Sequence, residues 1–204
     1  MVTANPTVVP PKRTIVFFDG QNLYHGAKDA WRAADPRVSS PYSWPSYDVE
    51  KIAALLVAKD ANRTLSEIRF YTGVPSANSN RLWNGFWNNK LRGLMAKRIH
   101  VYRGRINPGG QEKGVDVSLA IDLIKLTYEK AYDLGIIVSQ DWDFGPAVKL
   151  AYEIAQSQGR RVHFESAFAN NPRNDRGVPG TTWVKIEKAE YDSCYDTTEY
   201  RSTI

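Results

Sequence analysis

The stretch "IVFFDGQN", residues 15–22, decides the fold that this sequence predicts. The apolar run that contains it starts at Thr14, is made of β-branched and aromatic residues up to Phe18, and stops abruptly at Asp19. A run without alternating polar residues is typical of a strand that is buried on both faces of a parallel sheet. We therefore expect a central parallel strand with a carboxylate at its carboxyl end.

Strand and helix patterns alternate along most of the chain. Further strands are predicted at 67–74, 98–105, 133–139, 161–167 and, as a short edge strand, 181–187, and helices at 49–60, 80–97, 115–131 and 145–159. Residues 29–47 are rich in Pro, Ser and aromatics, which is typical of an ordered surface excursion. The alternation predicts the α/β class, with a central parallel sheet flanked by helices.

Length and composition favour one domain inside the cell. The chain has 204 residues, a formal charge of +5 and one cysteine, Cys194, so no disulfide between two of its own cysteines is available and a reducing, cytoplasmic compartment is expected. No stretch approaches the roughly 20 apolar residues of a membrane span. We expect a disordered segment at 1–13 and a single domain at 14–204, with an extension after about 170.

Three aspartates are predicted to meet at one edge of the sheet. The stretch "IIVSQDWDF", residues 136–144, is a second apolar strand that ends at an aspartate, Asp141, and "KGVD" places Asp116 in the first turn of the long helix. Ligands of open parallel sheets bind beyond the carboxyl ends of the strands. The alternative is that Asp19 and Asp141 only cap turns, and that Asp116 only interacts with the helix dipole.

Two more acids have open roles. Asp143 is either an N-cap of the following helix or a member of the site. Asp122 lies six residues after Asp116, about 120° around the helix, so it either flanks the site or is a hydrogen-bonded core acid.

Converging carboxylates predict a bound cation. Two carboxylates about 5 Å apart repel by about 3 kcal/mol at an effective dielectric constant of 20. The histidines, His25, His100 and His163, lack zinc-ligand spacing, and Cys194 is solitary. An oxygen-rich site of this kind favours Mg²⁺ or Mn²⁺, the ions of phosphoryl chemistry.

A basic region predicts contact with nucleic acid. Residues 75–111 contain no Asp or Glu, and the cations expected to contact RNA phosphates are Arg81, Lys90, Arg92, Arg103 and Arg105. The interleaved aromatics Trp83, Phe86 and Trp87 have helical spacing and are better explained as a core face than as a stacking surface. Lys113 is the cation expected nearest the scissile phosphate, although a solvated loop lysine is the alternative.

The motifs "FFDGQNLY", "KGVDVSLAIDL" and "VSQDWDFGPAVKLAYE", in this order, resemble those of NYN domains, in particular the LabA-like branch of the PIN-like metal-dependent ribonucleases. The resemblance covers residues 14–167 and implies a Rossmann-like sheet with an acidic pocket and one or two divalent ions. It implies catalytic and metal-binding roles for Asp19, Asp116 and Asp141, and we also expect a catalytic role for Asp143. It also places Asn22, Asp122 and Asp143 at positions that are asparagine or commonly acidic in the family.

This chain has "SQDWDF" where the family usually has "SGDSDF", so we expect Gln140 and Trp142 to crowd the rim of the pocket.

The leading hypothesis is a ribonuclease that hydrolyses RNA phosphodiester bonds with Mg²⁺ or Mn²⁺. The alternative is a catalytically silent module on the same fold that binds nucleic acid or a partner. The sequence leaves DNA open as a substrate, and it leaves self-association open.

Overall fold

The computed structural model describes residues 10–32, 40–107 and 111–201. These residues form a seven-stranded sheet in the order β4-β3-β2-β1-β5-β6-β7. The strands are β1 (Lys12–Asp19), β2 (Arg63–Val74), β3 (His100–Ile106), β4 (Glu112–Lys113), β5 (Leu134–Val138), β6 (His163–Ala169) and β7 (Thr182–Ile186). The helices are α1 (Gly20–Trp31), α2 (Val49–Ala58), α3 (Arg81–Ala96), α4 (Val115–Tyr128), α5 (Gly145–Ser157) and α6 (Lys188–Ser193).

The sheet is parallel except at one edge, where β4 runs antiparallel to β3. Strand β1 lies in the middle, between β2 and β5, and its residues from Thr14 to Asp19 are all buried. The predicted α/β class and the predicted central strand are therefore confirmed. The strand begins at Lys12, so two residues of the segment expected to be disordered belong to the sheet, and residues 1–9 lie outside the described part of the chain.

Helices cover both faces of the sheet. Alternate side chains of β1 enter two separate cores: Val16 and Phe18 pack with residues of α1, α2 and α3, while Ile15 and Phe17 pack with residues of α4 and α5. The chain crosses from one face to the other between β3 and β5. The direction of the crossovers changes beside β1, which is where open α/β sheets form a ligand crevice.

The extension after residue 170 returns to the body of the protein. The predicted edge strand at 181–187 is present as β7, and Tyr195 forms a bridge with Tyr47. The excursion predicted at 29–47 is shorter than expected, because α1 continues to Trp31 and a 3-10 turn follows at Pro41–Ser43; residues 33–39 lie outside the described part of the chain.

Lys90 corrects one prediction. We expected it to contact RNA, but its side chain is fully buried, because it shares the inward face of α3 with Phe86, Trp87, Leu91 and Leu94. Its Nζ atom donates hydrogen bonds to the carbonyl oxygens of Pro45 and Tyr47 and forms an ion pair of 3.1 Å with Asp196. Lys90 therefore holds the C-terminal extension against α3.

Among the described residues, no helix has the length and apolar character needed to cross a membrane.

Candidate active site

Asp19 is a buried acid held by two hydrogen bonds at the end of the central strand. It caps α1, since its Oδ1 atom accepts from the backbone N–H of Asn22 at 3.2 Å, and its Oδ2 atom accepts from the Ser139 hydroxyl at 3.1 Å. Burial, followed by the negative charges of Glu112 and Asp116, raises the pKa of Asp19 to about 7. Asp19 therefore caps α1, as the structural alternative predicted, and the same residue also has a strongly raised pKa.

Asp19 lies in the wall of a cleft of about 460 Å³ at the carboxyl ends of the strands. The residues that line this cleft, which we call the acid cleft, are Asp19, Gln21, Asn22, His25, Gly26, Asp29, Ile106, Glu112, Asp116, Gln140, Asp141 and Asn174. The structure thus brings together the three acids that the sequence placed at one edge of the sheet. It adds two acids that were not predicted, Asp29 and Glu112.

Glu112 is one of the two cleft acids that sequence reasoning missed. Its Oε1 atom accepts from the backbone N–H of Gly73 at 2.6 Å, and a Cβ atom at Gly73 would lie only 2.5 Å from that oxygen. Burial and the neighbouring charge of Asp116 raise the pKa of Glu112. The available signal was the motif "QEKGVD", in which Glu112 is the first acid after the acid-free region. Its position depends on the short strand β4, which hydrophobic periodicity does not reveal.

Asp116 does not cap its helix. The N-cap of α4 is Gly114, which has a left-handed φ of 82°, and no side chain makes a cap hydrogen bond there. Burial, and then the charges of Asp141 and Asp143, raise the pKa of Asp116. The first turn of α4 therefore directs a carboxylate toward other carboxylates, which a purely structural role would not require.

Asp141 and Asp143 lie on the 3-10 turn that follows β5. Asp141 caps this turn, since its Oδ1 atom accepts from the backbone N–H of Asp143 at 2.9 Å, and it also lines the acid cleft. Asp143 is exposed and does not line the cleft. It is not the N-cap of α5 either, because that position is Phe144. The negative charge of Asp143 contributes to the raised pKa of Asp116, and a catalytic role for Asp143 stays a prediction.

Asn22 and Gln140 connect the two central strands. The Oδ1 atom of Asn22 accepts from the backbone N–H of Gln140 at 3.0 Å, and the Gln140 side chain donates to the carbonyl oxygens of Asn174 and Arg176. Gln140 lines the cleft, as expected at the rim. Trp142 does not: its side chain is 53% exposed and is not among the lining residues, so this part of the prediction is wrong.

The structure decides the role of Asp122. Its carboxylate accepts hydrogen bonds from Arg69, at 2.8 Å, and from the Tyr71 hydroxyl, at 2.7 Å, and it does not line the acid cleft. Both partners come from β2, so Asp122 fixes α4 against the sheet. Of the two roles that the sequence left open, the structural one applies.

The remaining predicted cations are on the surface. Arg81, Arg92, Arg103, Arg105 and Lys113 are exposed, and none of them forms an ion pair with another described residue. Arg105 lies opposite Lys113 across β3 and β4, next to Glu112. The edge of the sheet beside the acid cleft is therefore positively charged.

Trp87 and Phe86 are buried as core residues, whereas Trp83 is only half-buried.

The chemistry of the cleft fits a hard divalent cation. Within the described part of the chain, no Lys, Arg or His forms an ion pair with Asp19, Glu112, Asp116 or Asp141. Nor do three described acids or histidines surround one point closely enough to enclose an ion. This arrangement suits Mg²⁺, which is usually held by one or two carboxylates together with water and substrate phosphates.

A mainly parallel α/β sheet with acids at the carboxyl ends of its central strands is consistent with the fold of the PIN-like nucleases. More particularly, the chain belongs to the NYN domain family, since the family's sequence model, described as "NYN domain", matches residues 13–174. NYN domains are generally nucleases, and PIN-like nucleases of this family typically use divalent metals. Membership of the LabA-like branch stays a prediction.

The chain is also similar to two other proteins. The chain is 42% identical over 65 residues to the uncharacterized protein y4oD of Sinorhizobium fredii, a match that spans 32% of this chain and only 28% of that protein. A crystal structure of a Vibrio parahaemolyticus protein of unknown function superimposes with a TM-score of 0.56 at 16% identity, over 89% of this chain and 96% of the other. The second similarity shows the shared fold.

Proposed function

We propose that this protein is a divalent-metal-dependent ribonuclease that hydrolyses phosphodiester bonds in the acid cleft. The observation that carries the proposal is that four of the five carboxylates lining one cleft have no paired cation among the described residues; these four are Asp19, Glu112, Asp116 and Asp141. Such a cluster destabilises the folded protein unless a cation or protons offset its charge. Repulsion between these carboxylates lowers the stability of the folded protein, and the cleft lies beside a basic edge of the sheet. Both features favour a functional role for the cleft.

In this proposal one or two of the acids Asp19, Asp116 and Asp141 would bind Mg²⁺ or Mn²⁺ directly, together with water and substrate phosphates, and Glu112 lies beside them. The ion, when bound, supplies stabilisation of the negative charge that develops on the phosphate oxygens during hydrolysis. Asp19 is oriented for this role by Ser139 and by the backbone of Asn22. Its raised pKa means that the carboxyl group keeps its proton up to about neutral pH in the ion-free cleft.

Other residues of the chain position the substrate and the acids. Asn22 fixes the loop after β5 through the backbone of Gln140, so it keeps Asp141 in place relative to Asp19. Lys113 and Arg105 are exposed at the edge of the sheet next to Glu112, where they are placed to bind phosphates of the RNA backbone. Asp143 adds negative charge close to Asp116.

The test is a cleavage assay with labelled single-stranded RNA in Mn²⁺, in Mg²⁺ and in excess EDTA, with DNA of the same sequence in parallel. We expect cleavage of RNA by the wild type with either ion, and its loss in EDTA and in the Asp19→Asn and Asp141→Asn variants. Glu153→Gln removes an exposed acid of α5 and serves as the matched control. Cleavage that survives in EDTA or in both Asn variants would exclude this site, and RNA binding without any cleavage by the wild type would favour the silent binding module.

A further inference from the structure

A loop of the C-terminal extension forms one wall of the acid cleft. This loop, residues 171–177, follows β6 and is called the 171–177 loop below. Because β6 is parallel to β5 and β1, the loop starts at the carboxyl edge of the sheet, where the acids of the cleft also lie. Its residue Asn174 lines the cleft directly.

Hydrogen bonds fix the 171–177 loop against the cleft. The Gln140 side chain lies at the rim and donates to the carbonyl oxygen of Asn174 at 2.9 Å and to that of Arg176 at 3.0 Å. At the start of the loop, the buried side chain of Asn171 accepts from the backbone N–H of Arg173 at 3.1 Å. The backbone of the loop is therefore held in a defined position next to the acids.

The 171–177 loop carries exposed cations. Arg173 and Arg176 are both exposed, and neither forms an ion pair with another described residue. The Arg173 guanidinium donates to the carbonyl oxygen of Asp29, a residue of the cleft wall, at 3.2 Å. The one acid of the loop, Asp175, lies 4.0 Å from the Lys185 ammonium. Cations therefore outnumber acids on this side of the cleft.

The acid cleft thus has cations on two opposite sides. Arg105 and Lys113 lie at the edge of the sheet formed by β3 and β4, and the 171–177 loop follows β6. Strands β1 and β5, which carry the central acids at their carboxyl ends, lie between β3 and β6. Four inter-strand spacings separate β3 from β6, a distance of about 19 Å. A single phosphate group is too small to contact both groups of cations, whereas a chain of phosphates can contact them together.

We infer that the 171–177 loop binds phosphates of an RNA strand whose scissile phosphate lies among the acids of the cleft. This inference rests on the proposed function, because it takes RNA as the ligand of the acid cleft. A guanidinium group presents planar N–H donors that match the oxygens of a phosphate group. A strand that crosses the carboxyl edge of the sheet contacts cations on both sides of the acids. These contacts offset the repulsion between the acids and its phosphates.

Binding of a labelled ten-nucleotide RNA in EDTA tests the loop without cleavage. Arg173→Gln/Arg176→Gln is the test variant, and Arg173→Lys/Arg176→Lys retains both charges. Arg98→Gln/Arg161→Gln is the matched control, because it removes two exposed arginines that precede β3 and β6, at the opposite edge of the sheet. Each protein is titrated over a range of salt concentrations.

In Arg173→Gln/Arg176→Gln, the slope of log affinity against log salt concentration should fall by about 1.4, since each phosphate contact of a single strand contributes about 0.7. The lysine variant should keep most of the slope, and the control should keep all of it. A slope of the glutamine variant equal to that of the wild type would overturn the inference.

Oligonucleotides with one uncharged methylphosphonate linkage locate the contacts along the strand. In the wild type, the uncharged linkage should weaken binding at two groups of positions, one for each side of the cleft. Arg173→Gln/Arg176→Gln should lose the response at one group and keep it at the other. The same response in this variant as in the wild type at every position would also overturn the inference.

The inference and the proposed function fail in different measurements. If the wild type binds RNA through Arg173 and Arg176 but cleaves none in Mn²⁺, the proposed ribonuclease activity is wrong and the phosphate-binding loop stands. If the wild type cleaves RNA and Arg173→Gln/Arg176→Gln binds it with unchanged affinity and slope, the ribonuclease stands and the inference about the loop is wrong.

Discussion

The Ser139 hydroxyl donates a hydrogen bond of 3.1 Å to the Oδ2 atom of Asp19, although the two residues are 120 positions apart in the chain. The same Ser139 oxygen accepts a hydrogen bond of 3.1 Å from the backbone N–H of Asp141. One serine therefore ties together the ends of the two central strands and two of the acids of the cleft. The perturbed acid at the centre of the sheet is held in a fixed position before any ligand is bound.

The buried state of Asp19 predicts how stability depends on pH. Its pKa of about 7 in the folded protein lies above the ordinary value of 3.8, so between these values the folded protein keeps a proton that the unfolded chain has released. In EDTA, the free energy of unfolding should therefore fall as pH rises across this window, by up to about 1.4 kcal/mol per pH unit. Thermal unfolding at pH 5 and pH 8 measures the difference.

In the Asp19→Asn variant, the free energy of unfolding should fall less as pH rises, because asparagine has no proton to lose. Asparagine also keeps an oxygen that can cap α1. The remaining dependence should come from Glu112 and Asp116, whose pKa values are also raised. An identical pH profile in the wild type and the variant would show that Asp19 is ionised throughout this range.

Asp116→Asn should abolish cleavage while preserving the fold. Because Asp116 makes no cap hydrogen bond, its replacement costs little, and relief of repulsion should leave the EDTA-treated variant at least as stable as the wild type. Mn²⁺ should raise the melting temperature of the wild type much more than that of Asp116→Asn. Glu153→Gln should respond to Mn²⁺ as the wild type does; equal stabilisation of Asp116→Asn would contradict a metal-binding role.

Reversing the charges of Arg103 and Arg105 should weaken RNA binding and reduce its salt dependence. Both side chains are on exposed residues of β3, on either side of buried Gly104. Each lost phosphate contact should lower the slope of log affinity against log salt concentration by about 0.7 for a single strand. Lys125→Glu/Lys149→Glu makes the same change of charge on α4 and α5 and should leave the slope unchanged. Titrations in EDTA separate binding from cleavage.

Lys90→Met should destabilise the protein by about 3 kcal/mol, because it leaves Asp196 without its partner in a nearly buried site. Adding Asp196→Asn should recover much of this loss, since no unpaired charge then remains. Arg92→Met, on the exposed side of the same helix, should change stability by less than about 0.5 kcal/mol. Urea unfolding of the four proteins checks the prediction, and a neutral effect of Lys90→Met would mean that water reaches the ammonium group.

Hydrophobic patterns were sufficient to predict the sheet and three acids of the cleft. A strand buried on both faces needs an unbroken apolar run, and the order of such runs places Asp19 and Asp141 at one end of the sheet. The same rules could not find Glu112, since β4 has only two residues and its position is fixed by a backbone contact with Gly73. Short-range patterns carry no information about such a contact.

The charge of a residue alone was also not enough to predict whether its side chain is buried or exposed. Lys90 and Arg92 are two residues apart and look equivalent in composition, but on a helix this spacing turns them to different sides. Only the spacing of Lys90 relative to Phe86 and Trp87 indicates the buried face, and the partner that makes burial tolerable, Asp196, is 106 residues away. Asp122 is similar, because its partners on β2 decide its role.

The ion pair between Lys90 and Asp196 also sets an order of events during protein synthesis. At 5–20 residues per second, the ribosome adds Asp196 roughly 5 to 20 s after Lys90. During this interval α3 carries an ammonium group without its carboxylate. The inward face of α3 is therefore completed only when the last part of the chain has been made.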